Sequence, residues 1–124
     1  MRRSRTGSAM QRGEVWHVDL DPSRGSEPNK RRPAVVVSND RANATASRLG
    51  RGVITVVPVT SNAAKIYPFQ VLLSSPSTGL GVESKAQAEQ IRSVATERLL
   101  HRIGHISPGE LADLDDALRL HLEL

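Results

Sequence analysis

Three cations in a row, Lys30, Arg31 and Arg32, stand immediately before Pro33, and the small polar residues Thr60, Ser61 and Asn62 close a later β-branched run at 53–59. These residue types suit a phosphodiester. A guanidinium grips two oxygens with its fork of N–H donors, and a threonine hydroxyl can supply a third hydrogen bond. Glu27, on the loop before the cations, adds a carboxylate that could take a proton, pair with an arginine or contact a base. Three adjacent positive charges repel one another unless solvent, acidic groups or an anionic partner offsets them. A solvated loop beside a strand-end threonine accounts for the same letters, so these residues alone leave both readings open.

Other chemistry finds little support. His101 and His105 stand four apart in HRIGH, a spacing that on a helix would put both on one face, but Gly104 lies between them and no third ligand stands nearby. We therefore expect no metal site and no cofactor. His17 lies mid-strand and reads as structural. There is no G-x-S-x-G motif, no phosphate-binding glycine loop and no cysteine, so disulfides and thiolate metal sites are excluded.

The elements that must position Arg32 and Thr60 follow from periodicity. EVWHVDL (14–20) alternates as a strand with two differently used faces. A loop with two prolines and a glycine fills 21–32. Pro33 fixes φ at the start of AVVVS (34–38), a short β-branched strand. NDRANATASRLGRG reads as a mobile, turn-rich loop. VITVVPV (53–59) is the clearest strand, although Pro58 predicts an edge or a bulge near its end. YPFQVLLS (67–74) reads as a fourth strand, and KAQAEQIRSV (85–94) as one or two short ones. The period then changes. Ser107, Pro108 and Glu110 form a capping-box signature, and Leu111, Leu114, Leu118 and Leu122 fall on one helical stripe. Strands first and a closing helix predict a mainly β fold with α (α+β), a small antiparallel barrel or sheet with the helix packed on it. If the strands of 34–38 and 53–59 pair, Arg32 and Thr60 meet at one rim.

The chain of 124 residues is one domain's worth, with 38% hydrophobic content and three aromatics, Trp16, Tyr67 and Phe69. Its formal net charge is +4, unevenly spread. Residues 1–51 hold 11 Lys and Arg against 5 acids, whereas residues 107–124 hold one Arg against 5 acids. A basic half predicts an anionic partner such as nucleic acid. Residues 1–11 read as a flexible basic arm ahead of one domain at 12–124. The charged start lacks an apolar core for a signal peptide, and no stretch approaches the roughly 20 apolar residues of a membrane span, so a soluble cytoplasmic protein is expected.

Five blocks in order, RGEVWHVDLDPSRGSE, RRPAVVVSND, VPVTSN, YPFQVLLS and EQIRSVATERL, resemble the MazF/PemK ribonuclease toxins from about Arg12 to the C-terminus. The resemblance implies an SH3-like, CcdB-like barrel assembled as a homodimer. It also implies sequence-specific cleavage of single-stranded RNA without metal, held in check by a cognate acidic antitoxin. The family's catalytic arginine falls on Arg32, beside Arg31, and its catalytic threonine on Thr60. The loop glutamate of the GSE block falls on Glu27 and the glutamine of the EQI block on Gln90. Arg24, Ser26, Lys30, Arg31, Asn39, Ser61 and Gln90 become candidate RNA contacts. Two other functions fit parts of the pattern: a gyrase-poisoning toxin of the CcdB kind, which needs no paired arginine and threonine, and a non-catalytic RNA-binding barrel.

Overall fold

In the computed structural model, which describes residues 9–20 and 31–124, seven strands and two helices follow one another along the chain. They are β1 (Glu14–Asp19), β2 (Arg31–Val36), α1 (Asp40–Leu49), β3 (Val53–Thr60), β4 (Gln70–Leu73), β5 (Ser84–Gln87), β6 (Arg92–Ala95), β7 (Leu99–His105) and α2 (Pro108–Leu122). All pairings are antiparallel, in the order β4-β5-β3-β2-β1-β7, with β6 also on β3.

The longest β-branched stretch makes the central strand. One edge of β3 pairs with β2, and the other is shared by β6, along Val53 to Val56, and β5, along Val59 and Thr60. Pro58 therefore sits inside a central strand and not at an edge. It falls between the residues paired with β6 and with β5, where no partner strand asks for its missing N–H. Alternation sends Val57 and Val59 into a core with Val15, Val35, Leu73 and α2 residues Leu114, Ala117 and Leu118. It sends Val56 and Ile54 into a second core with Val18, Ala34, Ala46 and Met10. Met10 is only 6% exposed, so packed chain begins within the expected arm, before residue 12.

The stretch expected as a mobile loop is α1. Asn39 is its N-cap, its side-chain oxygen accepting from the Ala42 N–H at 2.8 Å, and Gly50 ends it in the left-handed region at φ 69°. Asn43, fully buried, bonds Ser38 at both ends: its Nδ2 donates to the Ser38 carbonyl at 2.9 Å and its Oδ1 accepts from Ser38 Oγ at 2.5 Å. Ser38 Oγ in turn accepts from the Thr55 N–H at 3.1 Å, which ties the helix to β3.

β7 was not foreseen. Its Gly104 packs against the 3₁₀ turn Pro76–Thr78, where a Cβ would lie 2.6 Å from the Thr78 carbonyl oxygen and closer still to that of Ser77. Gly104→Ala should therefore part the strand from the turn and break the hydrogen bond from Ser77 Oγ to the His105 carbonyl. The expected loss is about 1–3 kcal/mol by denaturant titration. An unchanged midpoint would mean that the turn gives way freely.

α2 begins as its sequence signature demands. The Glu110 N–H donates to Ser107 Oγ at 3.1 Å, and the Ser107 N–H donates to Glu110 Oε1 at 2.8 Å. The other carboxylate oxygen accepts from the N–H groups of Ser74 and Ser75, at 2.9 and 3.1 Å, and so fastens the helix to the end of β4. Burial alone would raise the Glu110 pKa, but the hydrogen bonds from Ser107, Ser74 and Ser75 together outweigh it and lower the value. A carboxylate with a lowered folded-state pKa stabilises fully above its unfolded value, roughly 4.3, and stops doing so as pH falls through the folded value. The melting-temperature gap between the wild type and Glu110→Gln should thus be widest near neutrality and narrow below about pH 4.5. A gap independent of pH would show that the charge plays no part.

Candidate active site

The register of β2 on β3 brings the candidate residues together. Ala34 faces Pro58, and the same register carried two residues further sets Arg32 against Thr60, on the same face of the sheet. β2 begins at Arg31, two residues before Pro33, so Arg31 and Arg32 are strand residues with opposite directions. Arg32 shares the face of Thr60. Arg31 points the other way and is paired with Asp19 in the β1 register. A cavity of about 400 Å³ opens there, lined by Arg32, Pro33, Val59, Thr60 and Ser61 and by Leu80, Val82 and Ser84 from the chain leading into β5. Its lining mixes the polar Arg32, Thr60, Ser61 and Ser84 with the apolar Pro33, Val59, Leu80 and Val82.

The threonine is held for use. Thr60 Oγ1 accepts a hydrogen bond from the Asn62 N–H at 3.2 Å, which turns the chain out of β3 and leaves the hydroxyl proton free to donate. Arg32 is exposed and Thr60 half-buried, so an anion reaching the rim meets both.

Comparison with known proteins bears on what such a rim is for. Residues 11–122 match the family described as the PemK-like, MazF-like toxin of type II toxin–antitoxin systems. The chain belongs to this family of toxins. It is 76% identical over 115 residues to Endoribonuclease MazF9 of Mycobacterium tuberculosis, covering 93% of this chain and 98% of that one. It is 57% identical over 91 residues to Probable endoribonuclease MazF1 of the same organism, covering 73% and 98%. Its fold resembles the crystal structure of MazF from Deinococcus radiodurans, with a TM-score of 0.73 at 28% identity over 94% of this chain and 98% of that one. It also resembles a MazE-MazF crystal structure from that organism, with a TM-score of 0.71 at 26% identity over the same shares.

Not every residue singled out in the toxin's sequence converges on this rim. Ser61 lines the cavity. Gln90 is exposed at the end of the 3₁₀ turn Ala88–Gln90, where the chain passes from β5 to β6, and does not line it. Asn39 lies beyond the far end of β2 and caps α1, so its carbonyl is already engaged. Arg24, Ser26, Glu27 and Lys30 lie outside the described residues. His101 and His105 belong to a strand rather than a helix, and His101 meets His17 edge to face at 5.2 Å across β1 and β7. Among the described residues no group of three or more His, Asp or Glu is placed to hold a metal ion.

The sequence reading missed Lys85. It faces Thr60 in the register of β3 and β5, and it is only 8% exposed. Its letter, one charge in an alternating stretch, carried no hint of that neighbour. The residues of 67–69, expected as strand, form a turn instead, with the Gln70 N–H donating to the Tyr67 carbonyl at 2.8 Å. Tyr67 is exposed and stacks on Phe69 with centroids 5.6 Å apart.

Proposed function

We propose that this toxin cuts single-stranded RNA by in-line attack of the substrate's own 2′-OH, with the phosphate held between Arg32 and Thr60. The endoribonuclease activity itself follows from the family and from 76% identity to Endoribonuclease MazF9. It sets aside the gyrase-poison and non-catalytic readings. The observation that supports the residue roles is that Arg32 and Thr60 line one cavity, at the end of the strands β2 and β3 that carry them.

In the proposed step the 2′-oxygen bonds to phosphorus, the bond to O5′ breaks, and the products are a 2′,3′-cyclic phosphate and a 5′-OH end. The 2′-OH proton goes to a base and O5′ receives one. Charge builds on the non-bridging oxygens, where fixed donors count most because they need no reorganisation as the charge develops. Arg32 supplies two such donors and Thr60 a third. A guanidinium, protonated at all ordinary pH values, does not accept the proton. The carboxylate of Glu27, five residues before Arg32 in the sequence, is the chemically suited acceptor. No step requires a metal. Arg24, Lys30 and Arg31 would add charge along the RNA backbone, and Ser26, Ser61 and Gln90 would contact its sugars and bases.

The toxin works in the cytoplasm as a homodimer restrained by an acidic antitoxin. The antitoxin is supported by the family's place in type II systems and by the solved MazE-MazF assembly of Deinococcus radiodurans. A carboxylate-rich segment would be drawn to the same cations as RNA and would compete with it. Incubation of the pure protein with long RNA in EDTA tests the whole reading on one gel. Fragments are expected, whereas intact RNA, shifted or not, would refute it.

A further inference from the structure

Lys85 extends the row begun by Arg32 and Thr60. The preceding pair in the β3–β5 register, Val59 and Ala86, belongs to the core, so Thr60 and Lys85 lie on the other face. Thr60 and Lys85 are direct partners across β3 and β5, and the β2–β3 register carried beyond Ala34 and Pro58 sets Arg32 on the other side of Thr60. Lysine is rarely this buried, because an ammonium taken from water is costly unless it is well partnered. An apolar side chain would fill the space at less cost. What the ammonium adds is a link: Nζ donates to the Lys65 carbonyl at 2.8 Å and lies 5.7 Å from the centre of the Tyr67 ring.

That link reaches the segment leaving Thr60, residues 61–69. Gln70 grips the same segment from its other end. Its Oε1 accepts from the Tyr67 N–H at 3.1 Å, and its Nε2 donates to Glu89 Oε2 at 2.8 Å. So fastened, the segment presents Tyr67, 42% exposed and backed by Phe69 in a parallel stack, with the ammonium of the exposed Lys65 over its ring at 4.9 Å, where an incoming base would displace it toward the base's own phosphate. In a chain with three aromatics, two are spent on this one exposed stack. An exposed aromatic ring with a displaceable ammonium is what an unpaired nucleobase and its phosphate bind.

We propose that Lys85 is a positioning residue, which fastens segment 61–69 so that Tyr67 and Lys65 form a stacking platform for a nucleobase adjoining the phosphate held by Arg32 and Thr60. This deepens the RNA-cutting reading and rests on it. In a Trp16→Phe background Tyr67 is the sole fluorescent aromatic of its kind, the chain having one tyrosine and one tryptophan. Its emission should be quenched saturably by short random-sequence 2′-O-methyl oligonucleotides, which bind without being cut. Lys85→Met should keep the fold by circular dichroism, lose most of that quenching and raise KM about tenfold with a smaller change in kcat, in line with the loss of one stacked base. Lys85→Arg should recover part of both. Unchanged KM and unchanged quenching in Lys85→Met would overturn the proposal, as would Tyr67 emission indifferent to oligonucleotide in the parent. If Lys85→Met does not fold, Tyr67→Leu decides: a raised KM supports the platform and an unchanged KM sinks it. Arg32→Ala should slow cleavage by at least about 100-fold yet reach the same quenching at saturation, at higher oligonucleotide concentration. Normal cleavage by that variant would unseat the assigned catalytic pair while the emission still reports on the platform.

Discussion

Arg32→Ala and Thr60→Ala are each expected to slow RNA cleavage by at least about 100-fold, the usual cost of removing one preorganised donor from developing charge. Neither should move the melting temperature appreciably. Arg32 is exposed and Thr60 half-buried at a strand end, so truncation opens no cavity in either core, and surface changes of this kind stay within about 0.5 kcal/mol. Separation of rate from stability is what distinguishes a working pair from a structural one. Arg31→Ala supplies the internal comparison. Its side chain leaves β2 on the face opposite Arg32, so it should lose affinity through weaker attraction of the RNA backbone, with kcat less affected. Should Arg31→Ala be the inactive variant while Arg32→Ala cuts normally, the phosphate must sit on the other face of β2.

What the sequence disclosed, and what it hid, divides along the range of the interactions. The α2 cap was legible because Ser107 and Glu110 bond each other three residues apart, and the leucine stripe needed only helical period. β3 was legible from β-branching alone. α1 was not, because it buries only Asn43 and Ala46 and so has no apolar stripe to read, although Asn39 and Gly50 are a fair pair of end signals. β7 was hidden because Gly104, which reads as a breaker, is there for the close approach of the Pro76–Thr78 turn. The meeting of Arg32 and Thr60 could be anticipated by supposing that two strands pair. The burial of Lys85 beside Thr60 could not, since it depends on a register between residues 25 apart, which no local pattern encodes.

RNA carrying a 2′-O-methyl or 2′-deoxy group at the scissile nucleotide should resist cutting altogether, while the unmodified strand is cut in EDTA. The argument is stoichiometric. With the substrate's own hydroxyl as nucleophile, methylation removes the oxygen's proton and blocks its attack, and the deoxy sugar has no oxygen to attack with. Nothing in the arrangement of Arg32 and Thr60 depends on that hydroxyl, so modified strands should still bind, and with similar affinity. The same mechanism fixes the ends. Breaking the bond to O5′ leaves a 5′-OH, so the downstream fragments of the unmodified strand should accept a labelled phosphate from a polynucleotide kinase without prior phosphatase treatment. The upstream fragments should carry a cyclic phosphate that acid opens. The two readouts fail differently. Efficient cleavage of the blocked strand would mean that water or a side chain is the nucleophile. Fragments that need phosphatase before labelling would mean that the bond to O3′ is broken instead, and the placing of Arg32 and Thr60 on the non-bridging oxygens would then have to be argued for a different leaving group.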